Sequence, residues 1–333
     1  MIDAHNHLLL SHAAWDSQAP EPLAIDAIVN RLRQGRISAV GMVVGGDQAF
    51  PSTSAHSRWE GTLRALAQYW GGIANSPGSI TTIRSKADLD ALTESKPGFL
   101  LCLEGMNVCF DSPFEDPLAA LRLLTQLGIR SIQVMAAPQT PLLTDPSDGT
   151  RHLTDVGREM ISEANRLNLI VDISHLSGDE PAFLEILECS TAPPIASHHS
   201  CRSITGKDQA LSDEAIHALA SLGGVIGIHT GSHWLNNEHR QATVDDFLKH
   251  ITRVVDLVGI DHVGIGTDHV DVGALPRDLP DGMFMFGFDG PEDAELIASA
   301  LADDGYTAQD CEKILSANVR RVWREALEER EIA

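Results

Sequence analysis

Positive charge is scarce in this sequence: 24 Lys+Arg stand against 47 Asp+Glu, a formal net charge of −23 over 333 residues. That balance argues against nucleic acid or an anionic membrane as the principal partner. It favours solubility and the holding of cations. Cysteine is sparse too. Cys102, Cys109, Cys189, Cys201 and Cys311 are scattered and form no CxxC pair, which argues against a disulfide scaffold or zinc finger and fits a reducing compartment. No apolar run approaches the ~20 residues that span a bilayer. The opening MIDAHNH has neither a basic nor an apolar stretch, so no secretory signal is expected, and the polar ending ALEEREIA does not read as a lipid-anchor tail. The expectation is a cytoplasmic protein with no membrane partner. Repeats and low-complexity tracts are absent as well.

What is present is the composition of a folded globular chain, 43% apolar and 21% charged. At about 150 residues per domain the length suggests two domains, but α/β barrels hold about 250 or more as one. Eight short apolar runs, at 2–8, 39–44, 98–103, 131–135, 169–173, 194–197, 224–228 and 262–266, suit strands buried on both faces. Helical patterns lie between them, at 22–33, 118–127, 154–167, 244–258, 294–302 and 308–327. Pro117 and Gly128 sit at favourable start and stop positions. This alternation predicts one (β/α)₈ barrel domain over 1–333. Residues 45–95 are longer than one unit needs and predict an excursion with an extra helix near 58–69. Long loops are expected at 137–151 and 270–290. A doubly wound open sheet is the alternative, weakened because no GxGxxG follows the first run.

Ligand-type residues fall at the ends of the runs. His5 and His7, at i and i+2, share one face of a strand. Glu104 follows five apolar residues, where a carboxylate is costly to bury without a cation or hydrogen-bond partner. His175, His198 and Asp268 each close a run. In a barrel these ends form the catalytic face. Imidazole with carboxylate suits zinc, with manganese, iron or cobalt as substitutes. Five ligands sharing one carboxylate suit two ions, which lower the pKa of a water between them and polarise a carbonyl. A nearby Asp then takes the water's proton and passes it to a leaving amine. The bland reading is preferred for His12, His56, His152, His217, His239, His250 and His262 as surface or packing residues. His199, His229, His233 and His269 lie near strand ends as candidate outer contacts. Cys102, Cys109 and Cys201 read as small buried residues rather than nucleophiles.

These motifs resemble those of the membrane dipeptidase (renal dipeptidase) family within the amidohydrolase superfamily. DAHNH at 3–7 resembles the family's DGHND element, and LEG at 103–105 its bridging-Glu segment. GREMISEANRLNLIVDISHLS at 157–177 resembles its long G-R…D-x-S-H-x-S stretch, and ASHHSCR at 196–202 its SHSNAR element. DHVGIGTD at 261–268 and NVRRV at 318–322 resemble its two closing elements. The resemblance implies a (β/α)₈ barrel, usually a homodimer, that cleaves dipeptides with two zinc ions. It makes His5 and His7 ligands of one ion, Glu104 the bridge, His175 and His198 ligands of the other, and Asp268 the proton shuttle.

Three departures from the family follow. His7 stands where Asp is usual. Ala136 stands where the family's dipeptidases carry a His that stabilises the tetrahedral intermediate. Gln209 lies near the position of an Arg that grips the substrate's carboxylate, with Lys207 as a point-charge substitute. A zinc-dependent, dipeptidase-like amide hydrolase is therefore expected. The same centre acting on a modified amino acid, lactam or lactone is the alternative, and a silent binding protein of the same fold is the third reading.

Overall fold

The computed structural model describes residues 1–11, 24–47, 57–93, 95–137, 139–144, 150–176, 181–238, 240–271 and 282–328, without the side chains of Leu10 and Ser11. His12, His56, His239, parts of both expected long loops, part of the excursion and the start of the expected helix at 22–33 lie outside these residues.

Among the described residues, nine parallel strands form one sheet: β1 Ile2–Asn6, β2 Ala39–Gly46, β3 Thr81–Thr82, β4 Gly98–Glu104, β5 Ile129–Gln133, β6 Ile170–Asp172, β7 Ile195–His199, β8 Val225–Ile228 and β9 Val263–Ile265. The order β2-β1-β9-β8-β7-β6-β5-β4 closes through a β2–β4 pairing that runs from Ala39↔Gly98 to Gly46↔Glu104. The result is a closed (β/α)₈ barrel. Each of the eight predicted runs supplies one barrel strand. β3 stands outside the ring. It pairs with the start of β4 at Thr81↔Gly98, below the point where β5 joins at Leu101↔Ile129. The excursion thus docks without opening the barrel, and its helix runs Arg58–Asn75.

Local chemistry sets the helix ends. Thr154 accepts from the Gly157 amide at the start of Asp155–Arg166. Asp116 caps Pro117–Gln126, which has Pro in its first turn. Thr243 and Asp246 form a reciprocal capping box on Val244–Val258. Helices Pro181–Cys189 and Asp213–Ser221 fill the units after β6 and β7; the hydrophobic pattern alone did not single them out. The expected helix at 308–327 contains a π-turn at Lys313–Ala317. Its side chain Asn318 donates to the carbonyls of Ile260 and Val263 at 2.7 and 2.8 Å, tying the last helix to the entry of β9.

The core lies between strands and helices, with Ile2, Val40, Val43, Leu100, Ile132 and Val263 fully buried. Each such side chain contributes about 1.5–3 kcal/mol. Outer helices and apolar layers fix the strand ends, and the strand ends carry the polar site.

Candidate metal centre

β1 delivers the first pair. His5 and His7 place their Nε2 atoms 3.2 Å apart. His7 lies one residue past the strand, but its amide donates to the His269 carbonyl at 2.8 Å and keeps the backbone on course. Asp3, fully buried, accepts from the amide and hydroxyl of Thr267 at 2.8 and 2.6 Å and from Asn6 at 2.8 Å. This locks the end of β1 to the segment after β9. The Asp268 amide donates to the His5 carbonyl at 3.0 Å, and Asp268 adopts φ 53°. His175, after β6, also has positive φ, at 68°. Such backbone costs of order 1–3 kcal/mol outside glycine and persists where surrounding contacts over-determine it. Here both residues lie in the polar cluster.

β4 ends on Glu104. Its Oε1 lies 3.1 Å from His175 Nε2 and its Oε2 lies 3.5 Å from His7 Nε2. β7 is irregular between Ala196 and His199, and such a break re-aims side chains. His198 Nε2 accordingly sits 3.1 Å from His175 Nε2, and its ring centroid lies 3.9 Å from that of His5. Asp268 Oδ1 lies 3.2 Å from His7 Nε2 and 3.8 Å from His5 Nε2.

All six predicted residues therefore meet at one end of the barrel. Their ligand atoms form two overlapping groups, His5–His7–Glu104 and Glu104–His175–His198, each within 4.8 Å. Neutral imidazole nitrogens and a shared carboxylate are a donor set for divalent cations. The close Nε2 pairs, 3.2 and 3.1 Å apart, bond as N–H···N when one ring of each carries its proton on Nε2, and the same nitrogens converge where a cation would sit. A third group, His5–Asp172–His198, also lies within 4.8 Å.

Electrostatics agree with cation binding. Burial opposes charge on Glu104 and Asp268, but the surrounding imidazoles hold both below the usual carboxylate range, Asp268 well below it. Burial, and then neighbouring imidazoles, lower His5 and His198. Burial also opposes charge on His7, yet Glu104 and Asp268 outweigh it and raise His7 to about 9. Asp268 is 28% exposed and His175 27%, whereas His5 is 1% exposed. The shuttle candidate thus faces the open side.

The departures acquire geometry. Ala136 has no side-chain donor, and its amide and that of Ala137 are taken by Asp47 Oδ2 at 3.1 and 3.2 Å. Gln209 is exposed. Lys207 donates to the His233 carbonyl and stands 5.7 Å above the Trp234 ring. His229 is buried behind the centre, its ring 6.5 Å from that of His198 and 5.6 Å from that of Trp234. His250 packs in the interior between the Cys201 amide and the Leu235 carbonyl. The five cysteines are unpaired, and burial pushes the Cys109 and Cys201 thiols up to about 12. The motif reading assigned no role to Asp3, Asp47, Asp172 or Ser197. Asp3, Asp172 and Ser197 lie inside the quoted motifs, so their signal was present without its meaning.

The sequence matches the family described as membrane dipeptidase (peptidase family M19) over residues 1–332. Dipeptidase tcpJ of Claviceps purpurea is 27% identical over 97% of this chain and 76% of its own. An uncharacterized dipeptidase of Schizosaccharomyces pombe, C965.12, is 29% identical over 63% of this chain and 50% of its own. A metallo peptidase of Rhodobacter sphaeroides, solved with a phosphinate mimic of the dipeptide L-Ala-D-Ala, superposes with a TM-score of 0.77 at 18% identity, covering 98% of each chain. An amidohydrolase of Pseudomonas aeruginosa gives the same score at 21% identity, covering 98% of this chain and 96% of its own. At those identities the structural likeness is one of fold. No helix among the described residues is long and apolar enough to cross a membrane.

Proposed function

This chain belongs to the membrane dipeptidase family and is a metal-dependent hydrolase, and we propose that it cleaves a small amide or peptide bond at a two-zinc centre. The observation that carries this reading is the pair of ligand groups sharing Glu104, with Asp268 on their open side. His5 and His7 would hold one ion, His175 and His198 the other, and Glu104 both. When bound, such ions supply Lewis acidity to water and to the scissile carbonyl. The residues do the rest. Asp268, ionised and 28% exposed, accepts the proton of the attacking water and returns it to the departing amine. The barrel mouth orients the carbonyl beside it.

Asp268→Asn tests the assignment. Turnover should fall by about 10²–10⁴-fold, while metal content by elemental analysis stays near wild type. Hydrolysis at the wild-type rate would remove Asp268 from the mechanism.

A second reading keeps the centre and changes the substrate to a modified amino acid, lactam or lactone. Two observations favour it: the amide of Ala136 is engaged by Asp47, and Lys207 by the His233 carbonyl. Loss of one oxyanion donor costs about 2.7–4 kcal/mol unless another group replaces it. A panel of L,L-, L,D- and N-blocked dipeptides beside cyclic amides separates the two. Strong preference for free dipeptides would eliminate the second reading.

A further inference from the structure

Beneath the centre lies a buried polar knot. Asp172, 3% exposed at the end of β6, receives four hydrogen bonds from two serines. Its Oδ1 accepts from the Ser174 amide at 3.0 Å, the Ser174 hydroxyl at 2.8 Å and the Ser197 amide at 3.1 Å; its Oδ2 accepts from the Ser197 hydroxyl at 2.5 Å. The same Ser197 oxygen lies 3.3 Å from His5 Nδ1 and 3.1 Å from His198 Nδ1. A hydroxyl has one proton and two lone pairs. The Ser197 hydroxyl donates to Asp172 Oδ2, so its one proton goes to that carboxylate. Both lone pairs then face ring nitrogens, and each ring must present an N–H to be bonded. A neutral imidazole carries one N–H. With that proton on Nδ1, Nε2 is left bare toward the cluster.

We infer that Ser197, oriented by Asp172, is a shared positioning residue that fixes the tautomer and ring direction of both His5 and His198. These two rings belong to different ligand groups, so one hydroxyl serves both halves of the centre. The third group of possible ligands, His5–Asp172–His198, is explained by the same contacts: the Ser197 hydroxyl stands among its three members and takes an ion's place. The support is rigid. A Cβ on Gly227 or Gly266 would come within 1.9 or 1.7 Å of the Ser197 carbonyl oxygen, so β8 and the end of β9 close directly on this residue. The effect on metal binding rests on the ligand assignment proposed above, whereas the hydrogen bonds stand without it.

Nitrogen-15 spectra of ring-labelled histidine in the full-length chain, loaded with zinc and again after chelation, read the tautomers without any substitution. Both His5 and His198 should carry the proton on Nδ1 in each state. A proton on Nε2 of either ring after chelation overturns the inference. Ser197→Ala, checked for wild-type circular dichroism, should lose this uniform tautomer. It should also weaken zinc at both sites by about 10–100-fold in competition with a chromophoric chelator. Ser197→Thr, which keeps the hydroxyl, should restore most of the affinity. Unchanged affinity in Ser197→Ala, or a loss confined to one site, also overturns it. Failure of the ligand assignment reads differently: His5→Ala and His198→Ala would retain full zinc stoichiometry while the wild-type rings kept their Nδ1 protons.

Discussion

At the scale of single residues, His7 is the most informative departure from the family pattern. Its ring lies 3.2 Å from Asp268 and 3.5 Å from Glu104, so a carboxylate in its place would face two others. Like charges so close disfavour joint ionisation unless a cation lies among them. His7→Asp should therefore lower stability without metal and make folding more dependent on added divalent ions. Exchange of a nitrogen for an oxygen ligand should also move selectivity from zinc toward manganese. Elemental analysis after dialysis against equal zinc and manganese measures the ratio, and an unchanged ratio would contradict this account. His5, His7, Glu104, His175, His198 and Asp268 were legible because each closes an apolar run, and a polar residue there has few reasons to exist in an inert barrel. Ser197 was not. Its importance depends on the irregularity of β7 and on the His5 ring, which a distant segment supplies, and neither leaves a mark on the residue itself.

At the scale of elements, a helix start was legible where a residue suited to the first turn opens a periodic stretch, as at Pro117, the first residue of Pro117–Gln126. Asp213–Ser221 was not singled out, although Ser212 caps it, because its short apolar face gives a weak repeat. The helix Val244–Val258 offers a test of how much one cap contributes. Asp246, buried at its third position, accepts from Arg240 at 2.7 and 3.0 Å, from Lys249 at 2.9 Å and from the Thr243 amide at 3.0 Å. The Arg240 guanidinium, with these other donors, outweighs burial and holds the carboxyl well below its ordinary 3.8. A group depressed in the folded state stabilises it above the unfolded value, and that contribution is lost as pH falls through the folded one. Asp246→Asn should cost about 1–2 kcal/mol near neutrality, a figure reduced because Arg240 and Lys249 are largely solvated. The gap between variant and wild type should narrow as pH drops below 3.8. Urea unfolding midpoints across that range provide the measurement, and a gap independent of pH would refute the linkage.

At the scale of the whole molecule, the alternation of apolar runs with amphipathic stretches was enough to read a barrel, because each parallel strand needs a helix to return the chain. The closure of β2 onto β4 past the excursion was not readable. Thr81–Thr82 carries too little pattern to declare itself a strand, and only the pairing geometry shows that it lies outside the ring. That closed ring has a consequence for stability. The proposed ligands come from the ends of β1, β4 and β7 and from the segment after β6, so bound ions would tie non-adjacent strands across the mouth. A ligand that binds only the folded chain stabilises it by about 2.7 kcal/mol when present at 100 times its dissociation constant. Chelation should accordingly lower the melting temperature by at least a few degrees, and excess zinc should restore it. The double variant His5→Ala, His175→Ala removes one ligand from each group. It should melt near the chelated wild type and no longer respond to chelator. Differential scanning calorimetry decides the matter: a wild-type melt that does not move on chelation would mean that the barrel mouth holds its shape, and these imidazoles their places, without any cation among them.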